Sequence, residues 1–279
     1  MINPNYFKTM TNTMNKLKKA ALTFGVALMV GCTTVPITGR RQLSLVSDAE
    51  VIQMSFQAYN ETLKESKLST NATQTAMVKR VGQRIQQAVE QYMAQNGLSA
   101  QLEGYQWEFN LIQDDAQQNA FAMAGGKTAV YTGILPITKD ENGLAVVMGH
   151  EIAHAIAKHS NERISQQMAQ QYGGAALGAV VGGKSAAAQE VANTVYGIGT
   201  GVGLLKYGRD QESEADHLGL IFMSMAGYDP EGAVSFWQRM AAAGGAGTPE
   251  FLSTHPSNET RIRDIQANMA EAKKYYKPR

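Results

Sequence analysis

Two histidines four positions apart, His150 and His154, with Glu151 directly after the first, constrain this chain more than any other feature. On an α-helix, residues i and i+4 lie one turn apart on the same face. Both imidazoles then reach one metal ion. Glu151 is rotated about 100° from His150, off the metal but beside a water that the metal would activate. The flanks are apolar: Leu144 to Met148 lead in, and Ile152, Ala153 and Ala155 to Ala157 fill or follow the pattern. The helix is therefore buried. Buried imidazoles with a carboxylate between them need partners, because unpaired buried polar groups are costly. A metal ion supplies those partners; backbone carbonyls are the alternative.

The spacing H-E-x-x-H is the zinc-protease motif, two His ligands and a Glu general base. The rest of the composition bounds its setting. The 279 residues are 44% hydrophobic and 18% charged, an ordinary globular balance with room for one large domain or two small ones. A net charge of +1 gives no electrostatic case for nucleic acid. The single cysteine, Cys32, excludes a disulfide framework and a cysteine-based zinc site.

Lys16, Lys18 and Lys19 precede an apolar run from Ala20 to Val30. That run is shorter than the roughly 20 residues a membrane-spanning helix needs, and it suits a secretory signal. Leu28-Met29-Val30-Gly31-Cys32 resembles the lipobox of bacterial lipoproteins, with Met29 departing from the usual leucine. The resemblance implies cleavage before Cys32, lipidation of Cys32 and anchoring to a membrane without spanning it. Thr33 in the following position points to the outer membrane, so the expected location is the periplasmic face of the outer membrane. The expected organisation is a signal peptide over 1–31, a lipidated tether over 32–46 and one catalytic domain over 47–279.

Ser47, Asp48 and Glu50 read as a helix start. Met77, Val81, Ile85, Val89 and Met93 place a helix over Thr73 to Gln95, stopped by Gly97. Tyr105 to Gln113 alternates as a strand, and Gly125-Gly126 marks a hairpin or bent strand. The motif helix is expected over Glu141 to His159, followed by polar helix from Asn161 to Tyr172. The Gly/Ala/Val-rich stretch 173–208 carries Lys184, Glu190 and Lys206 and reads as packed small-residue helix, not a membrane span. Helices follow from Arg209 to about Gly227, after Pro230, and from Thr260 to Tyr276.

A catalytic zinc ion usually has three protein ligands and one open position. The metzincin extension fails here: its Gly position holds Ala157 and its His position Ser160. His159 is one residue off and reads as a structural or supporting residue. The other completion is a glutamate on a later helix, and both Glu212 and Glu214 are available. His150 to His154 followed by Glu212-Ser213-Glu214-Ala215-Asp216 resembles the metallopeptidase family of the CAAX prenyl protease and HtpX type, nearest to its soluble periplasmic, BepA-like branch. Pro36 to Ser47, Asn119 to Ala122 with Gly125-Gly126, Tyr131-Thr132-Gly133, and Thr254-His255-Pro256-Ser257 followed by Arg261 extend the likeness over most of the chain.

The resemblance implies that Glu212 is the third ligand, that Asp216 supports a ligand histidine, and that His255 lies near the metal, either filling its open position at rest or donating to the oxyanion. Arg209 and Arg261 are further oxyanion candidates. It implies a zincin-like α+β fold, mostly helical with a small β-sheet beside the motif helix, one Zn2+ per chain, and substrates among unfolded or misassembled cell-envelope proteins. A substrate strand would pair along Asn119 to Met123. The competing expectation is a membrane-anchored chaperone or assembly factor whose metal site is gated or mostly idle.

Overall fold

A computed structural model describes residues 32–35, 37–180, 190–191, 207–243, 250–255 and 259–278. The expected signal peptide and most of the 173–208 stretch lie outside these residues. The fold is α+β and mostly helical, as the sequence implies. Strands β1 (Cys32–Thr34) and β2 (Arg41–Leu43) form a small antiparallel pair. The stretch read as a tether is thus folded, and its Val35 is buried in the main core. Helix α1 (Asp48–Glu65) begins where Ser47 caps it, the hydroxyl accepting from the Glu50 N–H at 3.3 Å. Helix α2 (Ala72–Gln95) is capped by Asn71 and ends in a Schellman arrangement: Gly97 takes φ 69° and the Leu98 N–H donates to the Met93 carbonyl at 2.8 Å.

A three-stranded sheet has the order β3 (Glu108–Ile112), β5 (Lys127–Tyr131), β4 (Ala120–Met123). β3 runs parallel to β5 and β4 antiparallel to it. The β4–β5 turn uses Gly125 and Gly126 at φ 82° and 86°, a conformation open to glycine at no steric cost. β4 lies at the edge of the sheet, and among the described residues it pairs with β5 alone.

Helix α3 (Glu141–Ile156) is the central element, buried from Gly143 onward and capped by Asp140, which accepts from the Gly143 N–H at 2.8 Å. It packs against α2, against β4 and against α5 (Arg209–Met225). Lys158 turns the chain at φ 60°, so α3 ends at Ile156 and His159 opens a new helix, α4 (His159–Val180). The expectation of one helix through His159 fails because the left-handed turn redirects the chain. Helices α6 (Gly232–Ala243) and α7 (Glu259–Tyr275), with a helical turn at Glu250–Thr254, close the domain. No helix among the described residues is long and apolar enough to cross a membrane.

The α3–α5 crossing is backbone on backbone. A Cβ on Gly149 would sit 3.0 Å from the Gly219 carbonyl oxygen, and one on Gly219 would sit 2.9 Å from the His150 nitrogen. Gly219→Val is therefore expected to lower unfolding stability by about 1–3 kcal/mol through overpacking, read by chemical denaturation. An unchanged midpoint would show that the crossing is not tight.

Candidate metal centre

His150 and His154 share one face of α3, and their Nε2 atoms lie 3.0 Å apart. Glu212, in the first turn of α5, brings Oε1 to 3.4 Å from His154 Nε2 and Oε2 to 3.5 Å from His150 Nε2. His255, after the 250–254 turn, places Nδ1 3.1 Å from His150 Nε2 and 2.9 Å from Glu212 Oε1. One donor atom from each of these four residues lies within 4.8 Å of the others. All four are buried.

Around the donors sits a supporting layer. Asp216, one turn beyond Glu212 on α5, holds His150 Nδ1 at 2.9 Å. Arg261 donates to Asp216 at 2.7 Å and lies 2.9 Å from Glu212 Oε2. Its guanidinium stacks 3.4 Å from the Trp237 ring centroid, a desolvated cation–π contact. Tyr207 stacks on His154 with centroids 3.8 Å apart, and Phe251 stacks on His255 at 4.6 Å.

Burial is the largest influence on His150, His154, His255, Glu151, Glu212 and Asp216. It drives His150 and His154 well below the ordinary imidazole range, Arg261 reinforcing this at His150 while Glu212 opposes it at both. Burial pushes Glu212 up, yet His255, His154 and His150 outweigh it and hold the carboxyl well below its usual range. Neutral imidazoles with an ionised carboxylate are the states a metal requires. Burial raises Glu151 to about 7, partly offset by His255, and raises Asp216 to about 6 against the pull of Arg261. His255 is raised because Glu212 and Glu151 overcome its burial.

Zinc fits this donor set. Three nitrogens and a carboxylate oxygen converge, a common zinc combination. Glu212 and Asp216, both buried, share the single Arg261 guanidinium, so a dication held by Glu212 and the imidazoles would add positive charge where two carboxylates meet. Glu151 stays outside the donor set: its Oε1 lies 3.4 Å from His255 Nε2 and has no hydrogen-bond partner among the described residues.

The structure brings together His150, Glu151, His154, Glu212, Asp216 and His255. Of the two glutamates, Glu212 lies beside both imidazoles, while Glu214 turns to the other side of α5, onto His159 and Arg40. Arg209 is exposed in the first turn of α5. His217 pairs with Glu271 at 2.9 Å. Cys32 is an exposed free thiol. The sequence did not reveal Arg261 as the cation between two carboxylates; the signal was that buried acids on one helix face require one.

Two histidines one helical turn apart and a glutamate from a second helix, joined by His255, make a donor set suited to a metallopeptidase. Residues 79–269 match the profile of Peptidase family M48, and the chain belongs to that family. It is 36% identical over 254 residues to the mitochondrial metalloendopeptidase OMA1 of Schizosaccharomyces pombe, covering 89% of this chain and 69% of that protein. It is 34% identical over 182 residues to the Saccharomyces cerevisiae protein of the same name, covering 63% of this chain and 50% of that one. The beta-barrel assembly-enhancing protease of Escherichia coli is 30% identical over 165 residues, 57% of this chain and 34% of that protein. Apart from the fission-yeast protein, the chain thus spans half or less of these relatives.

These relatives correct the expected location. Placement as a lipoprotein on the periplasmic face of the outer membrane is overturned, because relatives matched over most of the chain are named mitochondrial proteins. The chain has no acidic residue before Asp48, and a basic, acid-poor N-terminus is a property that export signals share with mitochondrial targeting segments. The short pattern around Cys32 therefore did not discriminate.

Because folded and unfolded chains differ in whether the donors are assembled, zinc at 100 times its Kd should add about 2.7 kcal/mol of stability. In a chain of this size that is roughly 5–10 °C of Tm. Calorimetry before and after chelation checks this; equal melting temperatures would contradict zinc binding at the folded centre.

Proposed function

We propose that this chain is a zinc metalloendopeptidase that hydrolyses internal peptide bonds of other proteins, with Glu151 as general base and His255 closing the site at rest. The observation that carries it is the four-residue donor cluster with Glu151 buried beside it and outside it. Bound there, zinc supplies Lewis acidity, acidifying water and polarising a carbonyl. Glu151 takes the water's proton and returns it to the leaving amine, work suited to a carboxyl raised to about 7. Asp216 and Arg261 hold His150 in orientation.

An extended substrate adds as a strand to the edge of β4, a recurrent mode of peptide recognition. This strand lies against α3, and the Ala122 N–H reaches the Glu151 carboxylate. The His255 turn bears on the same approach: the Phe251 N–H donates to the Gln118 carbonyl at 3.1 Å, just ahead of β4. With His255 among the donors, the open position that catalysis needs is filled. Displacing this turn frees both the fourth position and the entrance to the strand edge.

Glu151→Gln is expected to retain zinc and to lose casein cleavage by about 10²–10⁴-fold, the usual weight of a general base, while His255→Ala cleaves at least as fast as the unchanged chain. Undiminished cleavage by Glu151→Gln would remove Glu151 from the chemistry, and loss of cleavage in His255→Ala would make His255 a participant in it rather than its gate.

A further inference from the structure

His150 has an evident orienting partner in Asp216. The second ligand, His154, has none on α5. Its free side is met instead from α4. His154 Nδ1 lies 2.7 Å from His159 Nδ1, and His159 Nε2 lies 2.9 Å from Glu214 Oε2. His159 is fully buried. The hydrogen-bond network then assigns every proton. With Nε2 of His154 turned toward the donor cluster, its Nδ1 carries the proton and donates to Nδ1 of His159. His159 therefore carries its own proton on Nε2 and donates it to Glu214.

Glu214 is itself held. The Arg40 guanidinium donates to its Oε2 at 2.7 Å, and the Thr38 hydroxyl to its Oε1. Arg40 also forms a two-pronged contact with Glu162 on α4, at 2.8 and 3.0 Å. The guanidinium thus ties α4 and α5 together through residues that lie between β1 and β2. His150 and His154 are served by two separate supports, one built on one face of α5 and on α7, the other on α4, the opposite face of α5 and the N-terminal hairpin.

We propose that His159 and Glu214 are positioning residues for the metal centre, a relay anchored by Arg40 that fixes the tautomer and tilt of His154 and thereby makes zinc retention depend on the N-terminal hairpin. The inference rests on the zinc reading above. Partners of this kind on a ligand histidine contribute about 10–100-fold to metal affinity. The left-handed turn at Lys158 is what makes the relay possible. On an uninterrupted helix, His159 would lie about 140° from His154; the break at φ 60° swings its ring onto Nδ1.

The test is zinc affinity by competition with a chromophoric chelator, on the full chain, for His159→Leu, His159→Asn and Glu214→Gln. Leucine and asparagine have nearly the same shape, so a packing role would move both alike. Only asparagine offers an acceptor where His159 Nδ1 stands. His159→Leu is expected to bind zinc about 10–100-fold more weakly, Glu214→Gln to weaken it in the same direction, and His159→Asn to recover most of the loss. Equal affinity in all three variants and the unchanged chain, or equal loss in the leucine and asparagine variants, would overturn the relay while leaving the zinc centre standing. Failure of the unchanged chain to bind zinc would overturn the centre and the relay with it.

Discussion

At Gly149 and Gly219 the backbones of α3 and α5 come so close that a single methyl on either glycine would meet the other helix. The metal centre depends on this approach. Glu212, Asp216 and Gly219 are spaced four and three residues apart, so one face of α5 carries the third ligand, the partner of His150 and the contact itself. Two short acidic side chains reach the imidazoles of α3 because nothing bulky separates the helices. Glu214, two residues from each acid, leaves that face and serves His154 from the far side.

Close approach also buries charge, and the rest of the site is organised around that cost. Ionised groups removed from water are stable only when paired and hydrogen-bonded. Arg261 meets two of the carboxylates and rests on Trp237; Arg40 meets Glu214 and Glu162. A zinc ion held by the four donors would add further positive charge. A site built this way is rigid where ligands are oriented. His255, by contrast, arrives on a short turn and not on one of the two crossing helices.

The parts legible in the sequence are those with short-range signals. The His150–His154 spacing, the Gly97 stop, the glycine turn before β5 and the mostly helical α+β class all stand in the fold. The residues that needed structure act across long separations or against local pattern. Arg40 lies more than a hundred positions from its partners, and His159 is placed by a single left-handed residue that no periodicity announces. Glu212 and Glu214 are equivalent as sequence and opposite as geometry. The N-terminal stretch was the least discriminating part of the sequence, because basic, acid-poor segments are shared by more than one class of targeting signal.

The central claim is that the two crossing helices and the His255 turn hold one zinc ion on His150, His154, Glu212 and His255. Anomalous diffraction at the zinc edge from crystals of the purified chain tests it most directly. The account predicts one strong peak per chain within about 2.0–2.2 Å of a donor atom from each of the four residues. No peak at this position, or a peak coordinated without Glu212, would contradict it.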